Sequence, residues 1–143
     1  MATANLQETL LSYTLRRNQL NLMITEYQSQ KTLATYSQAD AQSLHSAHKR
    51  EIRDFYKALW NEDPSLQAQY RDYTEIPDFD DEIDKITAQL QDELDELTAW
   101  ETSLDAQITT ASAELEEVNA YMESIQSMLT SNIQDDYNFG LGQ

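Results

Sequence analysis

Cysteine is absent from this 143-residue chain, and glycine and proline occur only twice each. Without thiols there is no disulfide, no thiolate nucleophile and no thiolate-bound metal. Average usage would give a chain of this length about ten glycines. So few turn formers argue against a β-sandwich or an α/β fold and suit long helices with few corners. No apolar run approaches the roughly 20 residues that a membrane span needs. Basic residues nearly vanish from the second half. Residues 1–60 hold seven Lys/Arg against five Asp/Glu, whereas residues 61–143 hold two against twenty-one, within a net charge of −17. Phosphate backbones and anionic membranes are held by basic surfaces, so nucleic acid is not an expected partner.

What is present is a period. Leu6, Leu10, Tyr13, Arg17, Leu20, Ile24, Tyr27, Lys31, Ala34, Gln38, Ala41, His45, His48, Ile52, Phe55 and Leu59 follow one another at alternating steps of four and three. Eleven of these sixteen positions are apolar. A 3.5-residue period held this long predicts one helix lying along another. The first helix is expected from about residue 4 to 60, capped by Thr3 or Asn5 with Glu8 in its first turn.

Asn61-Glu62-Asp63-Pro64 should break it, because proline clashes with the preceding turn. Asp63 can cap, and Pro64 can start, a short helix over about 64–73 inside a corner spanning 61–79. Ile76-Pro77-Asp78-Phe79-Asp80 is the second break, with Asp78 or Asp80 as cap and Phe79 against Ile83.

A second long helix is expected over about 80–130. Its stripe is Ile83, Ile86, Leu90, Leu94, Leu97, Glu101, Leu104, Ile108, Ala111, Leu115, Val118, Met122, Ile125 and Leu129. Thirteen of the fourteen are apolar, with one extra residue between Leu90 and Leu94 that shifts the phase without ending the helix. Trp100 is expected to cover the gap at Glu101. Residues 131–143 leave the pattern and read as a C-terminal tail.

The fold class that follows is all-α: an antiparallel coiled-coil hairpin of two long helices with a short corner helix, completed by self-association. Charge favours that direction. Folding back near residue 70 brings Arg16 and Arg17 toward Glu116, Glu117 and Glu123. It also brings Lys49, Arg50, Arg53 and Lys57 toward Asp84, Asp92, Glu93 and Asp95. A single seam leaves Leu11, Leu15, Leu22, Leu33 and Leu44 uncovered, and these are the candidate interface. Tyr137, Phe139 and Leu141 of the tail join them as a docking element of alternating aromatic and small residues.

Other chemistry is sparse. His45, His48 and Glu51 stand one turn apart and could offer three ligands to a divalent metal, yet both histidines fall on seam positions where a polar residue sets register. Asp78–Asp84 resembles a calcium loop, but the sixth position is Ile83 and the twelfth is Gln89, so it lacks the required glycine and glutamate. No Ser-His-Asp arrangement, phosphate loop or dinucleotide fingerprint occurs. The expectation is therefore no enzyme, no cofactor, no metal and no small-molecule substrate.

Leu10-Leu11-Ser12-Tyr13-Thr14-Leu15-Arg16-Arg17, followed by Tyr27-Gln28-Ser29-Gln30-Lys31-Thr32-Leu33-Ala34-Thr35, resembles the N-terminal segment of a group of uncharacterised helical proteins from gut-type bacteria. Leu15 stands where that group usually has alanine, and the group brings no activity with it. In layout the chain is also similar to small exported subunits of needle and flagellum-type filaments. That likeness implies a structural or assembly protein, partnered by itself or by another helical protein.

Met1-Ala2-Thr3-Ala4-Asn5 shows no basic segment followed by an apolar core, so no cleaved secretory signal is expected. The location is either cytoplasmic or outside the cell by a route that reads an uncleaved start. A cytosolic export chaperone or adaptor, binding a basic or helical partner through the acidic second helix, is the alternative function.

Overall fold

In the computed structural model, which describes residues 3–141 and the side chains as far as Tyr137, no strand is present among the described residues. Helix α1 spans Thr3–Glu62, α2 spans Pro64–Gln69, a 3₁₀ turn covers Tyr73–Glu75, and α3 spans Pro77–Leu141. The two long helices pack together as a helical hairpin. The chain divides into two compact units, one of residues 1–30 with 103–143 and one of residues 31–102.

The first unit is held by a repeating aliphatic seam. Leu20 of α1 packs with Ala111, Val118 and Met122 of α3, and Leu10, Tyr13, Met23, Ile24 and Leu115 close over them. The buried residues Leu104, Ala111, Val118 and Ile125 stand seven apart on α3, the step that returns a side chain to one face after two turns. Tyr13 stacks on Tyr121 with ring centroids 5.5 Å apart. The Arg16 guanidinium forks onto Glu114, donating from Nε at 2.8 Å and from Nη2 at 2.9 Å. That pair and the tyrosine stack fix an antiparallel order, with Glu114 taking the place expected for Glu116 or Glu117.

The second unit contains the corner, where bulk replaces period. Tyr56, Ile76 and Phe79 are buried together, and Ile52, Trp60, Leu66, Tyr70, Tyr73 and Ile83 pack around them. Phe79 meets Tyr56 and Tyr73 edge-on. The first break forms as the residues dictate: Asp63 caps α2 by accepting from Ser65 N–H at 2.9 Å, and Pro64 opens the helix. The chain then leaves helical geometry at Tyr70, earlier than 73, and Asp72 caps a separate 3₁₀ turn.

Helix α3 begins at Pro77, not at an Asp78 or Asp80 cap. Proline fits the first helical position because its missing N–H has no partner there, and both acids fall inside the first turn. At the other end α3 continues to Leu141. Ser131–Leu141 is therefore helix, although the apolar stripe ends at Leu129 and the segment reads as a tail.

Every one of the fourteen stripe positions on α3 is buried or half-buried. On α1 the same is true from Leu6 to His45, after which His48, Phe55 and Leu59 are exposed while Lys49, Ile52, Tyr56 and Trp60 turn inward. The α1 seam thus slips by one residue, through steps of four and four at Ala41, His45 and Lys49. The α3 stripe makes the same double step at Ile86, Leu90 and Leu94. His45 approaches Glu93 across the pair, so the two irregularities face each other. An inserted extra residue on one helix alone would put polar groups into the seam. Matched insertions let both helices relax locally from a 3.5-residue toward a 3.67-residue period.

Candidate interaction surface

Leu11, Leu15, Leu22, Leu33 and Leu44 lie on the outside of α1, between 57 and 69 % exposed. Apolar side chains this large and this exposed are ordinary singly; here five of them lie along one helix. Phe55, which the unbroken seam would bury, joins them at 61 % because of the slip, and Tyr36 and Leu59 are exposed on the same helix. On α3 the exposed large apolar residues are Tyr121, Met128, Ile133 and Tyr137, all beyond residue 120. Tyr137 is exposed on a helix; the side chains of Phe139 and Leu141 lie outside the described residues.

A second spacing runs along α1 beside the seam. Leu11, Leu22, Leu33, Leu44 and Phe55 stand eleven apart. A template with a period of 3.5 finds the seam and passes over this line, whose period is 3.67.

Charge sorts the two long helices. Helix α1 carries seven Lys/Arg and six Asp/Glu, whereas α3 carries one lysine, Lys85, and seventeen Asp/Glu. From Thr3 to Gln30 the charged residues are only Glu8, Arg16, Arg17 and Glu26. Arg16 is taken up by Glu114, and each member of that pair favours the other's charged form. The hydrogen bond lowers the carboxyl pKa of Glu114 and raises that of the guanidinium. Among the described residues Lys49, Arg50, Arg53 and Lys57 make no ion pair, so the expected basic-to-acidic match in the second unit does not form at contact distance.

The polar seam positions are accounted for within the second unit. Glu101 accepts from Thr35 Oγ1 at 3.1 Å and from Gln38 Nε2 at 2.9 Å. These bonds satisfy the carboxylate at the gap in the stripe. The neighbouring Trp100 lines an open groove with Ser37, Ala41 and Leu97. His45 is 6 % exposed, with Nε2 3.1 Å from Glu93 Oε2 and a buried Nδ1 that has no hydrogen-bond partner. His48 and Glu51 sit on the outer face. Buried His45 and exposed His48 and Glu51 line one open groove with Leu44 and Ala47, but no group of three side chains that could hold a metal ion occurs among the described residues. Asp78–Asp84 is helical, so it has no loop in which to wrap a cation.

Between the helices of the first unit, Met23 and Tyr27 face Ser103, Ala106 and Ala111 across a groove of about 300 Å³ that is open to solvent. Its walls offer methyl groups, an aromatic ring and the paired Glu114. No helix among the described residues is long and apolar enough to cross a membrane. Set against protein-family models, curated proteins and solved structures, the chain matches none.

Proposed function

We propose that this chain is a non-enzymatic assembly subunit, a helical hairpin that associates with further copies of itself in a filament or surface structure outside the cell. The observation that carries this reading is the row of exposed leucines on α1. Burying a leucine fully is worth about 1.5–3 kcal/mol, so several on one helix are a large driving force for association. Copies of this chain supply apolar surface of the same kind. The near-neutral face of α1 lets them approach, while the seventeen acids of α3 keep other faces apart.

The acidic run of α3 supports the second reading, an adaptor that engages a basic partner. The two readings part on dilution. Sedimentation velocity of the full chain from micromolar to several hundred micromolar should show the weight-average coefficient rising with concentration and with salt. A monomer unchanged over that range would defeat the assembly reading. Binding of a basic helical peptide by that monomer would favour the adaptor.

A further inference from the structure

We infer that the groove between α1 and α3 at Trp100 receives an arginine side chain of a partner protein. This rests on the second, adaptor reading and adds the site and the chemical group that fills it.

The groove lies wholly within the unit of residues 31–102 and holds about 450 Å³. Ser37 and Ala41 of α1 line one side, and Glu93, Glu96, Leu97 and Trp100 of α3 line the other. On α3 these residues follow at i, i+3, i+4 and i+7, the spacing that keeps side chains on one helix face. One face thus offers two carboxylates, an aliphatic chain and an indole. Glu93 meets His45 through Oε2. Among the described residues Glu96 has no hydrogen bond or ion pair, and Trp100 has no hydrogen bond or ring contact.

No cation of the chain stands close enough to neutralise this groove. Helix α1 has no Lys or Arg from Thr32 to His48, and α3 has none beyond Lys85. At 1.5 Å per residue, Lys31 lies about 9 Å before Ser37 along α1, and Lys49 about 12 Å after Ala41. Those separations are roughly a Debye length. Asp92, Asp95 and Glu101 add charge of the same sign on α3. A cation brought by another molecule therefore meets an unopposed field.

The walls select which cation. Carboxylates alone would suit a metal ion, which takes oxygen ligands on several sides. No three side chains are placed to hold one among the described residues, and Ala41, Leu97 and Trp100 give the same space methyl, aliphatic and aromatic surface. A quaternary ammonium is held by a cage of several rings, and this groove has one. A guanidinium needs one aromatic face to stack on and a carboxylate to fork onto. Trp100, one helical turn from Glu96, completes that pair. The open side of the groove admits a side chain carried by a polypeptide.

The full chain has two tryptophans, so its two indole N–H resonances report the groove and the corner separately. Titration with N-acetyl-arginine amide should shift the Trp100 resonance to saturation and leave Trp60 in place. The citrulline analogue, of the same shape without charge, should shift neither. Equal movement of both resonances, no movement, or an equal response to citrulline would overturn the inference. Calorimetry with a basic helical peptide carrying arginine extends the test to variants. E96Q and W100L should each weaken its binding about three- to fivefold with an unchanged helical circular dichroism spectrum. E116Q, which removes an acid of the other unit, should leave binding as it is. A loss in E116Q equal to that in E96Q would mean diffuse attraction to the acidic helix and overturn the groove. Peptide binding that neither E96Q nor W100L weakens would overturn the groove yet leave the adaptor reading standing. No peptide binding by the unmodified chain would remove both.

Discussion

The two units of this protein are packed on different principles. In the unit of residues 1–30 and 103–143, small and aliphatic side chains recur every seven residues, and Leu20, Ala111, Val118 and Met122 are interchangeable in kind. In the unit of residues 31–102 the chain reverses, and the corner is closed by Tyr56, Ile76 and Phe79 with Trp60, Tyr70 and Tyr73 around them. A repeat spreads the energy of a contact over many similar rungs. A corner has no repeat to lean on, so a few large rings must fill space between segments that run in several directions. The difference teaches where a single truncation does most harm.

The largest effect is expected at Phe79. Its removal takes away a buried ring and two edge-to-face contacts, each worth about 0.5–1.5 kcal/mol beyond area, so Phe79→Ala should cost about 4 kcal/mol. Leu20→Ala, at a fully buried seam position, should cost about 3 kcal/mol, because the neighbouring rungs still hold the helices. Urea midpoints read at constant slope test both. A larger loss at Leu20 than at Phe79 would break the contrast between corner and seam.

Next in size, and opposite in sign, is His45→Leu. The buried Nδ1 has no partner, and an unsatisfied buried polar atom costs about 1–3 kcal/mol. Glu93 is half-exposed and is left in water when the ring goes. Leucine at position 45 should therefore raise stability by about 1 kcal/mol. A loss of similar size would mean that the Glu93 contact outweighs the orphaned nitrogen. If polar seam residues fix register, the gain in stability should come with a second, slipped pairing of the helices, seen as doubled amide resonances near Ala41 and Lys49.

The same contrast explains what the residues alone disclose. Periodic packing is written in the chain at fixed intervals, so the α3 stripe and the α1 seam as far as His45 are legible from spacing. The exposed leucines follow by subtraction. The slip after His45 does not, because both Phe55 and Tyr56 are aromatic and either phase offers a plausible run. Only the matching double step on α3 decides between them, and that match depends on which residues the hairpin sets opposite one another. The start of α3 differs from expectation for a local reason: Pro77 reads as a breaker although it also suits the first helical position. Its far end differs because the apolar stripe stops before the helix does. The eleven-residue row escapes a single template because α1 has two differently timed faces. The bond from Gln38 to Glu101 pairs residues that no sequence spacing connects.

The smallest effect separates the units by the cause of a titration. Tyr56 in the corner has its pKa raised first by burial, then by its hydrogen bond to Glu82 and the nearby charges of Asp78 and Asp81. Tyr121 in the other unit is raised first by its 3.2 Å hydrogen bond to Glu117 and by that carboxylate's charge. For both, folding favours the neutral hydroxyl. Each contribution is complete below the ordinary tyrosine pKa of about 10 and is lost as pH rises through the higher folded value. Tyr56→Phe should consequently lose that contribution at neutral pH and flatten the fall of stability above about pH 10. Salt should tell the two tyrosines apart in ultraviolet titrations of Tyr56→Phe and Tyr121→Phe against the unmodified chain. Screening weakens exposed charge interactions strongly and burial hardly at all. Molar salt should return Tyr121 toward its ordinary value and leave Tyr56 raised. An equal response from both would mean that the corner ring is raised by its acidic neighbours, and that the corner is wetter than its aromatic packing implies.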